Sequence, residues 1–218
     1  MNDDALRPAA GHGSERLIDG PEEAVATLIL AHGAGAGMDA PFMQAVALGI
    51  AERGLRVIRF EFPYMAASRR SGTRRPPDRP AVLRQAWLDV LASTAAPRPF
   101  IGGKSLGGRV ASLIADELDV AGLVCLGYPF HPVGKPDVLR IDHLRVMRTP
   151  TLILQGERDP FGSVHQVGGY PLSPQVRLRW LPDGDHGFTP RVASGRTQAE
   201  NWREAVDAVY DFVAAVCC

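Results

Sequence analysis

Four short segments carry residue types that can do chemistry on a carbonyl group. They are His32-Gly33-Ala34-Gly35-Ala36-Gly37, Gly103-Lys104-Ser105-Leu106-Gly107-Gly108, Gly156-Glu157-Arg158-Asp159-Pro160-Phe161-Gly162 and Pro182-Asp183-Gly184-Asp185-His186-Gly187-Phe188. In chain order they offer a Gly-rich turn, a serine, an aspartate and a histidine. A serine hydroxyl becomes a useful nucleophile when an imidazole takes its proton and a carboxylate holds that imidazole. Ser105 is the candidate nucleophile, His186 the general base and Asp159 the residue that orients the ring. Glu157 is the rival carboxylate; Asp159 is favoured because Pro160 fixes a turn directly after it. His186 is the best placed of the six histidines: His12, His131, His143 and His165 have no partner motif around them.

Gly-x-Ser-x-Gly alone is a weak signal. It gains weight between a strand and a helix, because a serine on a tight, strained turn leaves no room for side chains two residues away. Such a turn also puts the hydroxyl at a helix N-terminus, where backbone N–H groups face a developing anion. The Leu106 N–H is one expected oxyanion donor and the Ala34 N–H the other. His32 and Gly33 border the same loop. His32 is read foremost as a side chain bracing it; a substrate-binding role for His32 and Gly33 is the second reading. Tyr128 and Phe130, just after a strand, are candidates for lining an acyl pocket.

The elements that must position these residues follow from periodicity. Short apolar runs at 26–31, 55–62, 100–102, 122–126, 151–155 and 176–181 read as strands. Amphipathic stretches at 41–53, 79–94, 106–118 and 198–216 read as helices. The alternation predicts an α/β domain with a central, mostly parallel sheet covered by helices on both faces. In such sheets ligands sit beyond the carboxyl ends of the strands, which is where all four segments fall. Residues 1–20 read as a loosely held extension and residues 21–218 as one domain.

With these motifs in place, the chain resembles small, lidless members of the alpha/beta-hydrolase superfamily, near the dienelactone-hydrolase-like bacterial hydrolases. The resemblance spans residues 24–216, and the order Ser105, Asp159, His186 is the superfamily's order. It implies hydrolysis of carboxylic esters or thioesters through an acyl-enzyme, on a small acyl-containing substrate, with no cofactor and no metal. Dienelactone hydrolases themselves use cysteine as nucleophile; position 105 is serine. The segment 127–149, where larger relatives carry a lid, has room for a loop and one short helix. Two other readings use the same fold: a non-catalytic interaction or scaffold protein, and an acyltransferase or peptidase built on the same triad.

Two nucleotide-binding readings fail on spacing. Gly102-Gly103-Lys104-Ser105 lacks the earlier glycine of a phosphate-binding loop, since position 98 is Arg. The 33–37 turn lacks the third glycine of a dinucleotide fingerprint, since position 38 is Met, although Glu61 could serve a ribose. The arginine-rich stretch 68–80 reads as a solvated loop, with an acidic substrate or partner as its functional alternative.

Composition agrees. A chain of 218 residues with 45% hydrophobic content buries about 70% of its unfolded surface without disulfide or metal staples. The 24 basic and 24 acidic residues balance, which argues against nucleic acid and against an anionic membrane as partners. No apolar run reaches the length of about 18 residues needed for a membrane span. The first twenty residues carry four acidic side chains and no apolar segment of a signal peptide, so the expected compartment is the cytoplasm. Three cysteines make no disulfide framework: Cys125 reads as a buried thiol, and Cys217 and Cys218 as an unmodified tail.

Overall fold

The computed structural model describes residues 15–217. Seven strands form one sheet: β1 (Arg16–Asp19), β2 (Thr27–Ala31), β3 (Arg56–Phe60), β4 (Phe100–Lys104), β5 (Gly122–Leu126), β6 (Thr151–Gly156) and β7 (Val176–Leu181). The helices are α1 (Pro41–Ala51), α2 (Pro63–Ser71), α3 (Pro80–Ala92), α4 (Leu106–Ile114), α5 (Val164–Val167) and α6 (Gln198–Cys217). The strand order is β1-β3-β2-β4-β5-β6-β7. Only β1 runs antiparallel to its neighbour; the other five pairings are parallel.

The apolar strands divide their side chains between two cores. Ile29, Ile58, Phe60, Ile101, Leu123 and Ile153 face a cluster with Leu83, Trp87, Val110 and Ile114 of α3 and α4. Leu28, Leu30, Val57, Val124, Leu152 and Leu154 face a second cluster with Met43, Val46 and Ile50 of α1 and Val206, Val209 and Val213 of α6. A run such as Leu28-Ile29-Leu30 is apolar at every position because both faces of the sheet are covered. Cys125 is wholly buried, and burial pushes its thiol upward, away from thiolate chemistry.

The chain leaves β2 for β3 on one side and returns past it to β4 on the other. In open α/β sheets ligands bind at such a switch point, here at the carboxyl ends of β2 and β4. The loops after these two strands carry Gly33–Ala34 and Ser105.

Three expectations need correction. The loosely held extension expected over 1–20 does not hold at its described end, because Arg16–Asp19 pairs with β3 along its whole length. Asp19 holds the buried Arg59 guanidinium at 2.8 Å, an ion pair that ties this edge strand down. Residues 1–14, with His12, and Cys218 lie outside the described residues. The stretch expected as a loop from residue 68 begins inside α2: Pro63 starts that helix and Gly72, left-handed at φ 66°, ends it. Tyr128, Phe130 and His32 have no exposed surface. Tyr128 and Phe130 turn inward after β5 and pack ring to ring at 4.9 Å within the core, so neither lines an open pocket. Among the described residues, no helix is long and apolar enough to cross a membrane.

Candidate active site

Ser105 stands between the end of β4 and the first residue of α4, with φ 49° and ψ −108°. A non-glycine residue at such angles costs about 1–3 kcal/mol and persists only where its surroundings fix it. Here the Ser105 N–H donates to the Leu126 carbonyl at 3.1 Å, and the Arg109 N–H donates to the Ser105 carbonyl at 2.9 Å. The flanking glycines are required by close approach. A Cβ at Gly103 would lie 2.2 Å from the Ala31 carbonyl oxygen, and one at Gly107 would lie 2.4 Å from the same atom.

Asp159 and His186 meet at the ends of β6 and β7. His186 Nδ1 lies 2.8 Å from Asp159 Oδ2; the carboxylate side chain is fully buried and the imidazole 24% exposed. Asp159 accepts two further hydrogen bonds, from the Phe161 N–H at 2.8 Å and from Gln155 Nε2 at 2.9 Å. Glu157 is engaged elsewhere, accepting the Asp183 N–H at 2.8 Å. The histidine turn is shaped from inside by Asp185, whose Oδ1 accepts the N–H groups of Gly187 and Thr189. It is fixed from outside by α6, where Trp202 Nε1 donates to the Gly187 carbonyl at 2.9 Å and Asn201 Nδ2 to the Phe188 carbonyl at 2.8 Å. The Phe161 ring packs 4.5 Å from the imidazole. The orienting pair is therefore formed. Among the described residues, no hydrogen bond joins Ser105 to His186; catalytic contacts of this kind commonly tighten only when substrate is bound.

The loop after β2 is set by its carbonyl. His32 Nδ1 lies 2.7 Å from the Gly33 oxygen, and Tyr64 donates its hydroxyl to the same atom at 3.2 Å. The Phe62 N–H donates to His32 Nε2 at 3.1 Å, so the network assigns a neutral imidazole with its proton on Nδ1. Burial lowers the His32 pKa, in keeping with that neutral form. In a planar trans peptide the C=O and N–H point opposite ways. Holding the Gly33 carbonyl inward thus turns the Ala34 N–H outward, on an exposed residue next to Ser105; a Cβ at Gly33 would lie 3.7 Å from Ser105 Cβ. Among the described residues neither the Ala34 nor the Leu106 N–H has a hydrogen-bond partner.

Sequence reasoning missed three contributors. Gln155, wholly buried in β6, accepts the Tyr128 N–H at 2.7 Å while donating to Asp159. Tyr64 belongs to the unforeseen α2. Lys104, next to the nucleophile, donates from Nζ to the His186 carbonyl at 2.6 Å. Its place inside the Ser105 motif was the available signal. A second serine–histidine contact, Ser112 Oγ to His143 Nε2 at 2.9 Å, has a different character. Ser112 is buried within α4, its hydroxyl lies 2.7 Å from the Arg109 carbonyl, and the same His143 nitrogen also lies 3.3 Å from Tyr128 Oη. No carboxylate hydrogen-bonds His143 among the described residues, so this pair lacks an orienting group. Glu61 is taken up by Arg69 of α2, which also binds Asp39 at 2.8 Å; this leaves no carboxylate free for a ribose.

The chain belongs to the alpha/beta hydrolase domain family, whose model matches residues 24–214. Solved structures share the fold. An alpha-beta serine hydrolase homologue from Coxiella burnetii is 21% identical with a TM-score of 0.66, the match covering 88% of each chain. A lidless serine hydrolase from Xanthomonas campestris is 21% identical with a TM-score of 0.64, over 93% of this chain and 95% of the other. A dienelactone hydrolase from Anabaena variabilis is 19% identical with a TM-score of 0.67, over 92% and 90%.

Proposed function

We propose that this protein is a serine hydrolase of carboxylic esters or thioesters, acting on a small acyl-containing substrate. The observation that carries the reading is the 2.8 Å contact between His186 and the buried Asp159, at the same sheet edge as the strained Ser105. Ser105 Oγ attacks the substrate carbonyl while His186 Nε2 takes the hydroxyl proton. The N–H groups of Ala34 and Leu106 receive the oxyanion, and Asp159 stabilises the imidazolium. Collapse of the tetrahedral intermediate breaks the bond to the leaving group, which takes the proton from His186. Water then repeats the sequence against the acyl-enzyme and releases the acid. The esterase domain from Rhodothermus marinus, 17% identical with a TM-score of 0.65, favours this reaction class by its description.

Ser105→Ala should lower kcat on an activated ester such as p-nitrophenyl acetate by about 10³-fold or more. Turnover by that variant near the wild-type rate would overturn the proposal. The missing Ser105–His186 contact is the one observation that favours a non-catalytic role, and well-folded wild type with no turnover on any ester or thioester would support it.

A further inference from the structure

We propose that Lys104 is a positioning residue: its ammonium fastens the His186 turn to the residue that precedes the nucleophile, and so sets the spacing between Ser105 and the imidazole. This inference rests on the serine-hydrolase reading above for its catalytic consequence, though not for its structural one.

The geometry is specific. Nζ donates to the main-chain carbonyl of His186 itself at 2.6 Å. It also lies over two aromatic rings, 5.4 Å from the centre of Phe42 and 5.9 Å from that of Phe188. Gly127, left-handed at φ 70° after β5, leaves the space that the ammonium and imidazole share. A Cβ there would come within 2.8 Å of Lys104 Nζ and 3.3 Å of His186 Cε1. Lys104 thus reaches from β4 across the end of β5 to the turn after β7, and Ser105 is its covalent neighbour. A charge-assisted donor on a carbonyl is about twice as strong as a neutral one, and the aromatic faces add attraction only while the amine is protonated.

The charged groups facing Lys104 are Asp159 from the turn after β6 and Asp185 from the turn after β7; α1 contributes Phe42, and β5 contributes Gly127. Among the described residues neither carboxylate reaches ion-pair distance of Nζ. Burial therefore outweighs their attraction and brings the Lys104 pKa down to about 8.

The test compares wild type with Lys104→Met and Lys104→Arg. Hydrogen exchange over residues 183–188, read by mass spectrometry against core amides of β5, reports the turn. Steady-state hydrolysis of p-nitrophenyl acetate reports the catalytic consequence. At pH 7, below the Lys104 pKa of about 8, wild type should show the turn protected. Lys104→Met should be poorly protected, with kcat reduced about 10²-fold and KM little changed. Lys104→Arg stays charged and should keep more of the protection than Lys104→Met. Equal protection and equal kcat in wild type and Lys104→Met would overturn the proposal. So would wild-type protection and kcat in the neutral Lys104→Gln, which decides the matter if the methionine variant fails to fold. Failure of wild type to react with a fluorophosphonate at Ser105 would instead remove the serine-hydrolase reading, and the exchange comparison would still decide the clamp.

Discussion

The hydroxyl of Tyr64 lies 3.2 Å from the carbonyl oxygen of Gly33, and this contact helps decide which way the next N–H points. Tyr64→Phe removes that donor and leaves His32 to hold the carbonyl alone. One hydrogen bond is worth about 1 kcal/mol net, so kcat should fall roughly fivefold with KM little changed. Steady-state kinetics on p-nitrophenyl acetate check this. A variant with raised KM and unaltered kcat would mean that Tyr64 acts on substrate binding instead.

His32 in the same network gives an acid limit. Its ordinary pKa of 6.5 is lowered in the folded state by burial. Below 6.5 the unfolded chain therefore binds a proton that the folded chain resists, and stability falls with decreasing pH. Thermal unfolding followed downward from neutral pH should show this loss, smaller in His32→Gln. An NMR titration placing the His32 pKa at or above 6.5 would refute it.

Lys104 predicts a slope of the same sign at the alkaline end. Its pKa is about 8 when folded against an ordinary 10.5. Between those values the unfolded chain holds more protons, so the folded state gains stability as pH rises. The Tm of wild type relative to Lys104→Met should increase from about pH 8 to about 10.5. A relative Tm that is constant over this range would mean that Lys104 titrates as in the unfolded chain.

Asp159 and Gln155 separate chemistry from support. Asp159→Asn keeps the shape but disturbs the imidazole tautomer, and kcat should fall by about 10⁴-fold. Gln155→Leu strands the buried Tyr128 N–H, at a cost of about 1–3 kcal/mol read as a lower Tm, with a smaller loss of activity. Glu157→Gln should leave kcat close to wild type, because Glu157 braces the Asp183 N–H and not the histidine. Full activity in Asp159→Asn together with a collapse in Glu157→Gln would reverse the assignment.

Much of this site was legible in the chain because apolar runs mark strands and the chemistry sits in the Gly-rich turns that end them. Ser105 and Asp159 follow strands buried on both faces, and His186 follows β7, whose alternate residues Arg177 and Arg179 are exposed and whose last residue, Leu181, is buried. What escaped lacked periodicity or depended on distant partners. β1 is four residues long and held by the ion pair of Asp19 with Arg59, forty positions away. α2 has an arginine-rich sequence with only Tyr64 buried, which no apolar stripe announces. Lys104 and Gln155 are single polar residues closing apolar runs, and their roles come from main-chain atoms of Tyr128 and His186 that only the folded sheet brings near. Tyr128 and Phe130 mislead for a related reason: the end of a strand points toward the crevice, but the side chains there turned into the core.

The most direct test of the central claim is fluorophosphonate labelling read by intact mass on wild type and Ser105→Ala. A single adduct on wild type and none on the folded variant is the predicted result. An unlabelled, folded wild type, or a variant labelled as fast as wild type, would contradict the assignment of Ser105 as the activated nucleophile.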